Sequence, residues 1–113
     1  SLQSLAFFNE TQRVEAARKL AERLLRKEEK DIKRIEYLFQ LLVSRNPSEV
    51  ERNALFSLLD NARNRFSKSK ESADSLVSVG LASTDASLKS DEVAAWTQVS
   101  STILASDPVI LLY

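Results

Sequence analysis

Apolar residues recur at intervals of three and four along most of this chain, and the recurrence breaks in only a few places. The clearest stretch runs from Asp31 to Phe66. Ile32, Ile35, Phe39 and Leu42 form one stripe with Leu38 beside it, which predicts a helix from Ile32 to about Ser44 with Asp31 as its N-cap. Leu41 and Val43 carry the apolar surface past half of the circumference, so this helix is expected to be the most buried element. Pro47 disfavours helical geometry at Asn46 and donates no backbone hydrogen bond, so the helix breaks at Ser44-Arg45-Asn46-Pro47. Ser48 with Glu51 three residues on has the capping-box pattern. Val50, Ala54, Leu58, Ala62 and Phe66 then lie four apart and predict the longest helix of the chain. So short a break makes the two helices antiparallel neighbours.

The remaining elements are helices added to that hairpin. Upstream, Val14, Ala17, Ala21 and Leu24 predict a helix from Gln12 to Lys27, capped by Asn9 or Thr11. Its Glu15–Lys19, Arg18–Glu22 and Glu22–Arg26 pairs, four apart, read as a solvated outer face. Downstream, Ala73, Leu76 and Val77 predict a short helix from Lys70 to Val79, closed by Gly80 with Leu81 folding back onto Leu76. Residues 82–89 read as a polar loop. A fifth helix starts at Ser90 or Asp91 and runs to Ala105, with Val93, Trp96, Thr97, Ser100, Ile103 and Leu104 inward. Pro108 to Leu112 forms one last turn, and Leu5, Phe7 and Phe8 a short apolar patch at the other end. The pattern therefore predicts an all-α protein: a compact bundle of about five helices built on a central antiparallel helical hairpin, with residues 1–113 as a single helical domain.

Composition supports the helical reading and removes several kinds of chemistry. One Gly and two Pro in 113 residues are too few for the turns of an all-β fold. There is no Cys and no His, so the usual zinc ligands and the commonest general base are missing, and a Ser-His-Asp triad is unavailable. A single Gly excludes glycine-rich phosphate loops. No apolar run reaches the length of a membrane span. No cofactor is called for.

Charge balances overall at 16 basic against 16 acidic groups, but not along the chain. Residues 1–70 carry 15 basic and 10 acidic groups, and residues 71–113 carry 1 basic and 6 acidic. The plainer expectation is that the two parts face each other across the fold. The basic first part also raises a helical nucleic-acid-binding reading, weakened because its Lys and Arg alternate with Glu at helical spacing.

Five residues stand out. Arg45 and Glu51 flank the Pro47 break; the structural expectation is that Arg45 caps the carbonyl end of the helix before it and Glu51 closes the cap of the next. Arg34 lies on the second helix, and Trp96 on the fifth beside Ala94 and Ala95, small residues that let another helix approach closely. Trp96 reads as the large core residue of a small domain, its N–H seeking one carbonyl, ahead of a ligand platform.

These stretches resemble a known family: the C-terminal domain of unknown function found in large planctomycete-type proteins that often carry cytochrome-c-like modules. The family pattern runs from an apolar opening through a Glu-Ala-Ala-Arg-like helix, an Arg and Phe helix, and Gly-Arg-x-Pro-x-x-x-Glu to Glu-x-Ala-Ala-Trp. Here the matching residues are Glu15-Ala16-Ala17-Arg18, Arg34 and Phe39, Ser44-Arg45-Asn46-Pro47 with Glu51, and Glu92-Val93-Ala94-Ala95-Trp96. Ser44 stands where the pattern has Gly. The resemblance implies a larger parent, exported or associated with the envelope of a bacterium, and implies no reaction.

The expectation is thus a noncatalytic structural or interaction module, a C-terminal piece of a longer chain. Its apolar termini would contact other domains of the parent or a protein partner, or pair two copies in isolation. The rival expectation is one wall of an active site shared with upstream domains, with Arg34, Arg45, Glu51 and Trp96 as its residues.

Overall fold

The structure is a computed structural model that describes residues 9–80 and 84–106. Among these residues there are five α-helices and no strand: α1 (Glu10–Lys27), α2 (Asp31–Val43), α3 (Glu49–Lys68), α4 (Lys70–Val77) and α5 (Ser90–Ala105). The patch at Leu5, Phe7 and Phe8, the docking of Leu81 and the turn at Pro108–Leu112 lie outside the described residues.

Two N-termini form as the sequence predicts. Asn9 accepts from the Gln12 N–H at 2.7 Å, while the Gln12 side chain accepts from the Asn9 N–H. Ser48 and Glu51 exchange the same reciprocal pair at the start of α3. Each box satisfies two backbone donors that a helix start leaves open. Asp31 behaves differently. It is the first residue of α2, whose N-cap Lys30 makes no side-chain cap bond, and its carboxylate is engaged by arginines instead. At the other end of α2, Ser44 takes the left-handed conformation (φ 63°, ψ 29°) while its N–H donates to Gln40 O at 3.0 Å. A residue without Cβ would adopt that geometry at no steric cost. Ser67-Lys68-Ser69-Lys70 is a junction in which Ser69 ends α3 and caps α4 by accepting from Ser72 N–H.

The centre of the bundle is α5, not α2. Val93 through Thr97, Val99, Ser100, Ile103 and Leu104 are all buried, so α5 is covered over most of its circumference, with Thr102 and Ala105 left exposed on one face, whereas Leu41 of α2 is 40% exposed. Three features of α5 allow this. Ala94 and Ala95 let neighbours come close; the Thr97 hydroxyl is satisfied by donating to Val93 O at 2.6 Å; and Trp96 fills the space the small residues leave. Around it, α1, α3 and α4 make the main contacts, and α2 packs on its edge. Ion pairs at the helix ends fix the directions. Arg26 near the end of α1 reaches Asp85 just before α5, so α1 runs antiparallel to α5. Arg63 of α3 holds both Asp31 and Glu92, at the starts of α2 and α5, so α3 runs against both. α2 and α3 therefore run antiparallel as expected, but they touch each other only sparsely; α3 packs on the central helix and α2 on its edge.

One expectation about α1 is overturned. Arg18 and Glu22 belong to the buried interior, at 0% and 5% exposure, not to a solvated face. The approach to α5 covers this side: Asp85 N–H donates to Glu22 Oε2 at 2.8 Å, while Arg18 Nη1 lies 3.3 Å from Glu22 Oε1. An i,i+4 pair looks the same in sequence whether water or a loop lies over it. The uneven charge along the chain also has its answer here, because Arg26–Asp85 and Arg63–Glu92 join the basic first part to the acidic second part.

Candidate functional site

The singled-out residues fall into two clusters at opposite ends of α2. At the N-terminal end, Arg63 donates to both oxygens of Asp31, at 2.6 and 2.9 Å, and to both oxygens of Glu92, at 2.7 and 2.9 Å. One planar guanidinium thus joins three helices with four charge-assisted hydrogen bonds. Arg34 adds a contact to Asp31 at 3.3 Å, donates through Nε to Glu28 O at 2.7 Å, and lies 5.8 Å over the ring of Trp96. Trp96 is wholly buried, and its indole N–H finds no partner among the described residues, so the carbonyl sought for it is not supplied there. Its worth is shape and its face toward Arg34.

At the C-terminal end, Arg45 pairs with Glu51 in parallel at 2.7 and 2.8 Å and lies 5.0 Å over the ring of Phe39. Arg45 does not cap the carbonyls of α2; its remaining contact is to Asn46 O at 3.3 Å. Glu51 closes the cap of α3 as expected and accepts from Ser48 N–H at 2.8 Å. Pro47 between them is buried and fixes the corner. Arg34 and Arg45 are eleven residues apart in the numbering, about 16 Å along a helix axis, so these residues do not converge on one substrate.

Electrostatics give both clusters the same character. Hydrogen bonds from Arg63 hold the Asp31 carboxyl below its ordinary range. Hydrogen bonds from Arg45, then from Ser48, bring Glu51 down to about 2, and Glu51 in turn raises Arg45. A general acid or base works best with a pKa near the working pH. Both carboxylates are instead held in their charged form by a fork of donors. Among the described residues no three potential ligand side chains gather where a metal ion could be held, and no helix is long and apolar enough to cross a membrane.

Arg63 was not singled out by the sequence, although a signal was there. It lies four residues after Leu59 and three before Phe66, so it flanks the buried stripe of α3 that runs through Leu59, Ala62 and Phe66. A cation at the edge of a buried stripe is stabilised by carboxylates opposite it. The partners, 32 residues upstream and 29 downstream, carry no local mark.

The model of the PSD1 family, described as "Protein of unknown function (DUF1553)", matches residues 1–59. The chain belongs to this family. No curated protein and no solved structure matches it. Within the PSD1 match lie Glu15-Ala16-Ala17-Arg18, Arg34, Phe39 and the whole Arg45–Glu51 corner. The Glu92–Trp96 stretch of α5 falls beyond it, so the PSD1 assignment rests on α1, α2 and the first part of α3.

Proposed function

We propose that this PSD1 chain is a noncatalytic helical module that packs against other domains of its parent or against a protein partner. The observation that supports this most is the saturation of both polar clusters. Asp31, Glu92 and Glu51 each accept from an arginine through both carboxylate oxygens, which leaves them anchors between helices. The apolar segments at either end of the sequence, Leu5 to Phe8 and Val109 to Leu112, are the contact surfaces in this reading. The parent is taken to be a large bacterial protein, exported or held in the envelope and carrying cytochrome-c-like modules, as the family resemblance implies. The rival reading, a wall of a shared active site, has less behind it: Arg34 and Trp96 lie at one end of α2, Arg45 and Glu51 at the other, and Trp96 is wholly covered.

Co-expression with the upstream part of the parent tests the proposal. The expected outcome is a stable complex by sedimentation, with Arg34→Ala and Arg45→Ala leaving any activity of the parent in place. An activity in the isolated chain that either substitution abolishes, with the fold intact by circular dichroism, would overturn it.

A further inference from the structure

An apolar groove opens between α2 and α3 at the end of the bundle where α5 finishes. Phe39 and Val43 form one wall, Ala54 and Leu55 the other, Ile103 lies between them, and Ser106 stands at the edge. Its volume is about 180 Å³. Ala54 is exposed, and Val50, one helical turn before it, is 78% exposed, the largest exposure of any large apolar side chain among the described residues. Glu51, ion-paired with Arg45, closes the groove on the corner side.

We propose that the seat is filled by this chain's own segment Val109–Leu112. Three observations carry this. Ser106 ends α5 in extended geometry (φ −68°, ψ 170°), so the chain leaves the helix while already at the groove. The following residues are Asp107 and Pro108, and then four apolar side chains in a row, Val109, Ile110, Leu111 and Leu112. From Ser106 to Val109 is three residues, a reach of about 10 Å when extended. A tether this short gives the chain's own tail a large effective concentration at the groove over any competitor. Asn9, where the N-terminal apolar patch joins α1, is not a groove residue. This rests on the proposed function and narrows it: of the two apolar segments offered there as contact surfaces, the C-terminal one is assigned to its own bundle and the N-terminal patch is left for the partner.

The chain has no native Cys, so engineered disulfides report the contact cleanly. Ala54→Cys is combined in turn with Val109→Cys, Ile110→Cys and Leu111→Cys in the 113-residue protein, with Ala86→Cys in the loop before α5 as the control partner. The expected result is an intramolecular disulfide in the monomer for at least one tail position with Ala54→Cys and for none with Ala86→Cys. Closure with neither partner would overturn the proposal. Cross-linked dimers alone would place a second copy in the groove and overturn it equally. A chain ending at Ser106 gives an independent reading. It is expected to bind more of a hydrophobic dye than the full chain and to melt several degrees lower, with both changes reversed by a peptide of residues 107–113. Equal dye binding by the two chains would count against the seat. Either failure leaves the co-expression result of the proposed function untouched, so the two readings fail separately.

Discussion

Arg63 grips Asp31 through both terminal nitrogens, at 2.6 and 2.9 Å, across 32 residues of sequence. The same guanidinium turns its Nε and Nη2 to Glu92. The starts of α2 and α5 are thereby tied to the last third of α3, and three helices share one cation. Side-chain exposures of 27–32% leave the cluster half-buried, where such bonds retain more strength than at an open surface.

Arg63→Ala is expected to cost about 1–3 kcal/mol, because two carboxylates lose their shared donor and are left facing each other. Arg63→Lys should recover only part, since an ammonium cannot present the planar fork. Urea unfolding of the two variants checks this; midpoints equal to that of the parent protein would show that the cluster adds nothing.

Acid should unfold the protein in a window set by the two anchored carboxylates. Both Asp31 and Glu51 have lowered folded-state values, through Arg63 and Arg45 respectively. A group lowered on folding adds stability above its unfolded value and loses that share as pH falls toward the folded one. For Glu51 the interval runs from the ordinary 4.5 down to about 2. Thermal midpoints should therefore hold steady at neutral pH and fall through that interval. Glu51→Gln keeps a side chain able to accept from Ser48 N–H but removes the charge, so its midpoint should fall less steeply over the same range.

Trp96 separates packing from hydrogen bonding. It is fully buried, and its indole N–H has no partner among the described residues. Trp96→Ala should cost about 3–5 kcal/mol through the cavity it leaves. Trp96→Phe should cost clearly less, because no bond is lost with the nitrogen and the ring still faces Arg34. Equal losses for both substitutions, measured by circular dichroism during denaturation, would mean that the N–H does have a partner.

Ser44→Gly should stabilise the protein by about 0.5–1 kcal/mol. The left-handed conformation that Ser44 adopts strains any residue with a Cβ, and Gly relieves the strain at some cost in unfolded-state entropy. A rise in melting temperature of a few degrees is the expected outcome, and a fall would show that the serine side chain is needed at the corner.

The sequence by itself determined where the helices lie and how several of them begin. Spacing of apolar residues is a local property, and so is a cap: Ser48 and Glu51, or Asn9 and Gln12, need only each other. The family resemblance was legible for the same reason, since it rested on short local runs, and the PSD1 match covers those between residues 1 and 59. Which helix would stand in the middle was decided only by tertiary structure. Counting apolar residues favoured α2, yet α5 took the centre because its Ala, Ser and Thr positions let three neighbouring helices close in on it. The roles of charged residues were decided there too. Glu22 looked solvated until the segment at Asp85 covered it, and Asp31 looked like a cap until Arg63 arrived from another helix. A charge is buried or exposed according to what lies opposite it, and its own neighbours in sequence do not carry that information.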